Sequence, residues 1–294
     1  MPMKKKAKEI KMATFQNQAT LLFGSERINS NTTVGEIVDV VGMTKTAISV
    51  SYGQGDAIAY AISIENRGAT AITGLTLTDN LGSYTAPGGG VAIPLEYVPD
   101  TVKYYVNGEL LAPPAITAGS NLVISGISVP AGGNALLVYE AAANGYAPLA
   151  AGSYITNLVT LTGATAAPLT DTATVPVREA AELSITKTAS PDTISGGGEI
   201  TYTFILQNTG NTPVVSTDDL AVTDVFAPTL SDITVTVDGT EIVEGTGYSY
   251  DGVTGSFATL PGALTVPAAT YETLPDGSVT VSPGVTVLTV TGTI

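Results

Sequence analysis

The chain has 294 residues, of which 44% are hydrophobic and 13% are charged, and its formal net charge is −15. It contains no cysteine and no histidine, which excludes disulfides, thiolate or imidazole metal sites, and histidine-dependent hydrolytic triads. The acidic balance argues against nucleic-acid binding, and the length suits two domains that each bury a core.

The composition is typical of an all-β protein. Short runs rich in Val, Thr, Ala and Ile alternate with turn-forming Gly, Pro, Asn and Asp, as in sheets joined by many turns. No run keeps a helical period for more than a turn or two. We therefore predict two tandem immunoglobulin-like β-sandwich domains preceded by a separate N-terminal strand segment.

Residues 1–12 form a basic leader that carries five of the eleven basic residues. No apolar stretch follows it, so it lacks the pattern of a secretory signal, and no segment is long and apolar enough to span a membrane. The leader is either a mobile tail or a segment for docking or membrane contact. The route of export stays open.

Residues 13–40 are predicted to form a pair of strands, 15–23 and 33–41, around a polar turn at 24–31. The same plan recurs at residues 155–177. In each case the strand pair leads into a strand that carries a lysine.

The remainder of the chain consists of two repeats. The first repeat (residues 41–177) and the second repeat (residues 183–294) are joined by a short linker at 178–182. A Lys, a Tyr and an Asn recur at identical spacings: Lys45, Tyr60 and Asn66 in the first repeat, and Lys187, Tyr202 and Asn208 in the second. A Thr-Asp pair follows in both, ending at Asp79 and Asp224.

The second repeat has no counterpart of residues 155–163, its expected last strand. The nearest match is the segment 15–24 at the other end of the chain. We therefore expect the N-terminal strand pair of one chain to complete the second repeat of another, by β-strand addition. Four residues of that segment would anchor it in the acceptor's core: Phe15, Ala19, Leu21 and Phe23.

Strand alternation directs three polar side chains of the first repeat toward its core: Lys45, Asp79 and Asn157. The second repeat directs Lys187 and Asp224 inward, and Asn17 of a neighbouring chain would supply the missing asparagine. Burial favours a neutral lysine amine beside a protonated carboxylic acid. Such an amine can attack the asparagine amide with loss of ammonia, while the aspartic acid polarises the carbonyl. The alternative is a buried Lys–Asp ion pair with a neighbouring asparagine.

The run Leu183–Pro191, the Tyr202–Gly210 run and Val222-Thr-Asp224 resemble the DUF11 repeat of bacterial surface proteins, and isopeptide-forming fimbrial domains of immunoglobulin-like type. The resemblance implies an isopeptide bond between Lys45 and Asn157, and one between Lys187 and Asn17 of another chain. It assigns Asp79 and Asp224 as the acids that promote these bonds.

The sequence thus predicts a structural subunit of an extracellular bacterial filament, on a cell or spore surface, that polymerises head to tail with copies of itself. It predicts no cofactor and no metal, and it identifies no anchor or tip partner. The alternative is a monomeric adhesin or carbohydrate-binding module, for which Tyr104 and Tyr105 are the candidate contact residues. The acids Asp218 and Asp219 are a weak calcium signal, and an enzyme other than this autocatalysis is disfavoured.

Overall fold

The computed structural model of the chain describes residues 13–37, 40–163 and 168–294. These residues form β-strands, turns and one three-residue 3-10 helix at Ser216–Asp218, which confirms the all-β prediction. No helix in these ranges is long and apolar enough to cross a membrane. The basic leader lies outside the described residues.

Residues 13–37 fold back on themselves as an antiparallel hairpin, called here the N-terminal hairpin. Its strands are β1 (Ala13–Asn17), β2 (Thr20–Phe23), β3 (Glu26–Asn29) and β4 (Thr33–Ile37). Strand β1 pairs with β4, and β2 pairs with β3. Within the described ranges, none of the four joins a sheet of either repeat. The turn is shorter than the predicted 24–31, because Gly24 adopts a left-handed φ of 64° and β3 begins two residues later.

The first repeat forms a six-stranded and a five-stranded sheet that face each other around one core. Its strands are β5 (Val41–Ala47), β6 (Ala57–Asn66), β7 (Ile72–Asp79), β8 (Tyr84–Thr85), β9 (Val91–Ala92), β10 (Leu95–Tyr97), β11 (Lys103–Val106), β12 (Glu109–Leu111), β13 (Ala115–Ala118), β14 (Leu122–Val129), β15 (Asn134–Ala143), β16 (Tyr154–Thr162) and β17 (Leu169–Pro176). The strand orders are β12-β11-β15-β6-β5 and β13-β14-β7-β16-β17, and β10 also pairs with β15.

Alternating apolar positions of both ladders build this core. In β6, Ile58, Tyr60, Ile62 and Ile64 are buried, while the residues between them are less so. Strands β7, β14 and β16 of the other sheet alternate in the same way and face them, and β15, which pairs with β6, adds its own buried positions to the same core. The result is a β-sandwich in which each strand contributes one face.

The second repeat has one complete ladder and one short one. Its strands are β18 (Leu183–Ser190), β19 (Glu199–Asn208), β20 (Thr223–Val225), β21 (Ser231–Val237), β22 (Thr240–Ile242), β23 (Tyr248–Asp251), β24 (Ser256–Thr259), β25 (Thr270–Thr273), β26 (Val279–Ser282) and β27 (Gly284–Thr293). The order β18-β19-β27-β21-β22 matches β5-β6-β15-β11-β12, and β20-β24-β23 matches β7-β14-β13. Within the described ranges, β20 has no neighbour where β7 pairs with β16.

The two repeats also share a side-chain contact pattern. Asn66 and Asn208 are both buried. Each amide nitrogen donates at 2.8 Å to the carbonyl four residues ahead, and each amide oxygen accepts from the glycine amide two residues ahead at 2.9 Å. The same local device therefore ends β6 and β19.

The β25–β26 hairpin reaches from the second repeat onto the first. The Gly88 amide donates to the Pro275 carbonyl at 2.8 Å, and the Val279 amide donates to the Gly145 carbonyl at 2.9 Å. The Tyr84 hydroxyl also donates to the Gly277 carbonyl at 3.0 Å. In the first repeat, only the short turn 130–133 joins the corresponding strands β14 and β15.

Candidate cross-linking sites

The first site lies where β5, β7, β15 and β16 meet in the core of the first repeat. Lys45, Asp79 and Asn157 are all buried, and the Lys45 Nζ lies 2.5 Å from the Asp79 Oδ2. A buried ion pair of this kind requires good geometry, because removing both charges from water is costly. The structure therefore places the three predicted side chains in one core.

Burial lowers the pKa of Lys45 to about 8, and the neighbouring Asp79 carboxylate offsets part of this effect. The ammonium also lies 4.9 Å from the centroid of the Tyr60 ring. Burial therefore makes this lysine easier to deprotonate than a solvent-exposed lysine, without the help of histidine or a metal.

The Asn157 side chain is held by two groups that were not predicted. Its Oδ1 accepts a hydrogen bond from the Gly82 amide at 3.2 Å, and its Nδ2 donates to the Tyr139 hydroxyl at 3.3 Å. We predicted that Asp79 would polarise the Asn157 carbonyl, whereas the observed donor is a backbone N–H. A fixed N–H at this oxygen can stabilise a developing oxyanion.

Glycine is needed at position 82 for this approach. Its φ is 73°, and a Cβ there would lie 2.7 Å from the Ile155 Cγ2. The Leu81 amide meanwhile donates to the Asp79 Oδ1 at 2.9 Å. The turn after β7 therefore positions both the acid and the asparagine.

Tyr139 completes the first site. It is fully buried, and its hydroxyl donates to the same Asp79 Oδ2 that pairs with Lys45. Burial, followed by the charge of Asp79, raises the pKa of this phenol well above its ordinary value, so it stays protonated. The sequence feature that could have indicated Tyr139 is its position directly opposite Tyr60 in the pairing of β15 with β6.

The second site has the lysine and the acid in an open groove, called here the acceptor groove, between β18 and β20. Lys187 and Asp224 form an ion pair, but 38% of the Lys187 side chain is exposed. The Lys187 Nζ lies 4.6 Å from the centroid of the Tyr202 ring, which matches the contact of Lys45 with Tyr60. The predicted inward direction of this lysine thus leads into a groove that the described part of the chain leaves open.

The apolar residues beside Lys187 are equally uncovered. Leu183 and Ile185 are 45% and 54% exposed, although Val41 at the position equivalent to Leu183 is buried. In the first repeat, the corresponding strand lies beside β17, whose Asp171 accepts the Lys45 amide at 2.7 Å. The acceptor groove is therefore an apolar surface flanked by free strand edges within the described residues.

The N-terminal hairpin carries the remaining predicted residues. Asn17 is exposed and pairs through its backbone with Thr33, while Phe15 pairs with Gly35. Ala19, Leu21 and Phe23 are exposed. Within its own chain, the structure does not bring Asn17 to Lys187.

Strands β1 and β4 of the N-terminal hairpin have the register of the β16–β17 pair, while the pairing of β2 with β3 is shifted by one residue. Asn17 lies opposite Thr33, and Asn157 lies opposite Ala173, so the partners are sixteen residues apart in both cases. Aligning Asn17 with Asn157 also aligns Leu21 with the buried Leu161. The hairpin thus presents the side-chain order that the first repeat uses to close its own core.

Two observations bear on the other predictions. Tyr104 is buried, and its hydroxyl donates to the Ser128 carbonyl at 2.7 Å, so this candidate contact residue packs inside the fold. Among the described residues, no three Asp or Glu side chains cluster as a metal site.

Comparison with protein families and with curated proteins found no match. Among solved structures, the chain resembles the C-terminal domain of the Streptococcus pyogenes antigen I/II-family protein AspA, at 13% identity and a TM-score of 0.36, over 87% of this chain and 92% of that one. It resembles BcpA, the major pilin subunit of Bacillus cereus, at 12% identity and a TM-score of 0.33, over 92% and 73%. It also resembles the Streptococcus pneumoniae pilus backbone RrgB, at 12% and 0.33, over 83% and 55%. At these TM-scores the functional argument rests on the geometry of the chain itself.

Proposed function

We propose that the protein is the structural subunit of an extracellular bacterial filament. In this proposal the N-terminal hairpin of one subunit fills the acceptor groove of the next, and residues 41–177 and 183–294 act as its two domains. One observation carries the proposal: a single chain holds both an open groove beside Lys187 and a free hairpin in the register of the strands that close the equivalent groove.

The apolar surfaces of the two partners favour this association. Leu21, Phe23 and Ile28 of the hairpin are each more than half exposed, as is Ile185 in the acceptor groove. Burying a side chain of this size contributes about 1.5–3 kcal/mol. The contact joins two different surfaces of the subunit, so it propagates as an open fibre rather than closing into a dimer.

Docking in this register would bring Asn17 to Lys187 and Asp224. The chemistry expected there is that of Lys45 and Asn157: the lysine amine attacks the amide carbon, and ammonia leaves. Such bonds would make each subunit internally cross-linked and each joint covalent. A fibre of this kind would resist dissociation through a kinetic barrier rather than through affinity alone. Placement on a cell or spore surface follows from the resemblance of the motifs to bacterial surface repeats.

The test is assembly of the full chain compared with a chain that lacks residues 1–24. We expect the full chain to form fibres by negative-stain electron microscopy and a ladder of multimers on denaturing gels after boiling. The shortened chain should stay monomeric. Fibres formed by the shortened chain would refute strand donation.

The matching experiment adds a synthetic peptide spanning residues 13–37 to the shortened chain. It should bind the shortened chain one to one, with a final mass that is the sum of the two minus one ammonia. The same peptide with Asn17→Ala should bind without the covalent adduct. An unchanged monomer with both peptides would favour the adhesin alternative.

A further inference from the structure

The asparagine nitrogen must gain a proton before it can leave, because an amide anion is a poor leaving group. In the first site the Asn157 Nδ2 donates to the Tyr139 hydroxyl at 3.3 Å, and that hydroxyl donates to the Asp79 Oδ2. The Lys45 Nζ donates to the same carboxylate oxygen at 2.5 Å. Tyr139 therefore bridges the acid that receives the lysine proton and the nitrogen that must be expelled.

We propose that Tyr139 is a catalytic residue that relays a proton from Asp79 to the departing nitrogen of Asn157. This inference rests on the proposed cross-link between Lys45 and Asn157. It assigns the second half of the reaction to the hydroxyl that contacts both the acid and the nitrogen of Asn157.

The Lys45 ammonium gives one proton to the Asp79 carboxylate, and the neutral amine forms a bond to the Asn157 Cγ. The electron pair of the carbonyl moves to Oδ1, beside the Gly82 amide. Tyr139 then gives its hydroxyl proton to Nδ2 and regains one from Asp79.

The bond from Cγ to Nδ2 breaks next, the carbonyl reforms, and ammonia leaves. The new amide nitrogen, which still carries two protons, returns one to Asp79. The products are an amide between Lys45 and Asn157, free ammonia and a protonated Asp79. No oxidant, metal or other co-reactant enters the balance.

The second repeat lacks this hydroxyl. Val290 lies opposite Tyr202, as Tyr139 lies opposite Tyr60. The ring that stacks on Tyr202, with centroids 4.9 Å apart, is instead that of Phe226. Phe226 follows Asp224 by two residues, as Leu81 follows Asp79, so the ring that stacks on Tyr202 comes from the residue after β20, whereas the ring that stacks on Tyr60 comes from β15.

The two bonds should therefore form at different rates. The internal bond has a built relay, whereas a joint made by Asn17, Lys187 and Asp224 would depend on Asp224 or water for the same transfer. We expect subunits to cross-link internally first and to seal their joints afterwards. That order leaves time for a docked hairpin to exchange before its joint becomes permanent.

The first experiment follows the mass of the full chain at intervals after cell-free synthesis. The wild type should lose one ammonia, located between the tryptic peptides of Lys45 and Asn157. Tyr139→Phe should slow this loss by about 100-fold, the lower range for a general acid–base group. Absence of the loss in the wild type would overturn the proposed cross-link itself. A normal rate in Tyr139→Phe would overturn only the relay.

Tyr104→Phe is the matched control. Tyr104 is also buried in the core of the first repeat, but its hydroxyl donates to the Ser128 carbonyl at 2.7 Å, away from the hydrogen bonds of Asn157 and Asp79. We expect this variant to form the internal bond at the wild-type rate. Equal slowing in both variants would point to a general loosening of the core and would overturn the relay.

The second experiment introduces a tyrosine equivalent to Tyr139 into the second repeat, beside Lys187 and Asp224. The double variant Phe226→Leu/Val290→Tyr gives the second repeat the leucine and tyrosine of the first. Its fibres should become resistant to boiling in denaturant sooner than wild-type fibres. The single variant Phe226→Leu is the control for loosened packing, and equal rates in the single and double variants would overturn the inference.

Discussion

Lys187 pairs with Asp224, yet 38% of its side chain is exposed, whereas the equivalent Lys45 is completely buried against Asp79. The two pairs occupy matching strands of the two repeats, so the difference comes from what covers them. Strands β16 and β17 cover the first pair, whereas among the described residues no strand pairs with β20 at the equivalent place in the second repeat. In the proposed filament a second copy of the chain supplies that cover.

Leu21 and Leu22 provide a matched pair within the N-terminal hairpin. They are 63% and 62% exposed in the isolated hairpin, but they point to opposite faces of β2, and only Leu21 shares the face of Asn17. We expect Leu21→Arg to abolish fibres in electron micrographs, because the charge would enter the acceptor's core. Leu22→Arg should assemble like the wild type. Equal assembly of both variants would contradict the proposed docking face.

Lys187→Ala should separate docking from cross-linking. The variant keeps the apolar groove, so its fibres should form, but boiling in denaturant should return them to monomers. Lys103→Ala removes an exposed lysine from β11 and is the control, for which the heat-resistant ladder should persist. A ladder in the Lys187→Ala sample would rule out Lys187 as the cross-linking residue.

Asp79→Ala should destabilise the first repeat in a chain that cannot form the internal bond. In the background of Asn157→Leu, removing the carboxylate leaves the Lys45 ammonium buried without its partner. Breaking a buried pair in this way costs about 3–5 kcal/mol. The free energy of unfolding should fall by that amount in denaturant titrations, and Lys45→Met/Asp79→Leu should recover most of it. A loss below about 1 kcal/mol would show that water reaches the pair.

In the Asn157→Leu chain with Lys45 and Asp79 intact, the free energy of unfolding should rise with pH above 8. The pKa of Lys45 is lowered to about 8 in the folded chain from 10.5 in the unfolded chain, so the unfolded chain binds more protons between these values. Stability therefore increases with pH in this window, by up to about 1.4 kcal/mol per unit.

Above pH 10 the buried tyrosines oppose this rise. The raised pKa values of Tyr52, Tyr60 and Tyr139 mean that the unfolded chain loses phenol protons first, which lowers stability. Denaturant titrations between pH 8 and 9.5 isolate the lysine, and Lys45→Met should remove the slope there. An unchanged slope in that variant would assign it to another group.

Tyr84→Phe should loosen the β25–β26 hairpin. The Tyr84 hydroxyl bonds to the carbonyls of Tyr146 and Gly277, and it is the side chain that ties this hairpin to the first repeat. We expect faster amide exchange in residues 270–282, with little change around Phe257 in the second core. Uniform protection in both segments would mean that the backbone contacts alone hold the hairpin.

Side-chain alternation was sufficient to predict the all-β fold and the inward direction of Lys45, Asp79 and Asn157. The identical spacings around Asn66 and Asn208 predicted the repeat, and the structure gives both asparagines the same hydrogen bonds. These features are local or periodic, so a single sequence carries them.

The partners of Asn157 were not predictable in that way. Tyr139 contacts the Asn157 side chain from β15, and Gly82 contacts it from the turn after β7. The second repeat does not repeat either residue at the matching position, so comparison of the two repeats does not single them out. The sequence also did not predict the break between β1 and β2 at residues 18 and 19, because the run 15–23 contains no proline or glycine, the residues that usually indicate such a break. Long-range contacts, and the one-residue shift between the β1–β4 and β2–β3 pairings, depend on tertiary packing, which overrides local preference.

The β25–β26 hairpin has a mechanical consequence. It braces the junction inside one chain through the amides of Gly88 and Val279, while the first repeat has only the turn 130–133 at the equivalent place. In the proposed filament every second junction would lack this brace. Bending of the fibre would then concentrate between subunits, and each subunit would form a straight segment two repeats long. The bond between Lys187 and Asn17 would therefore lie at the junction where the fibre bends.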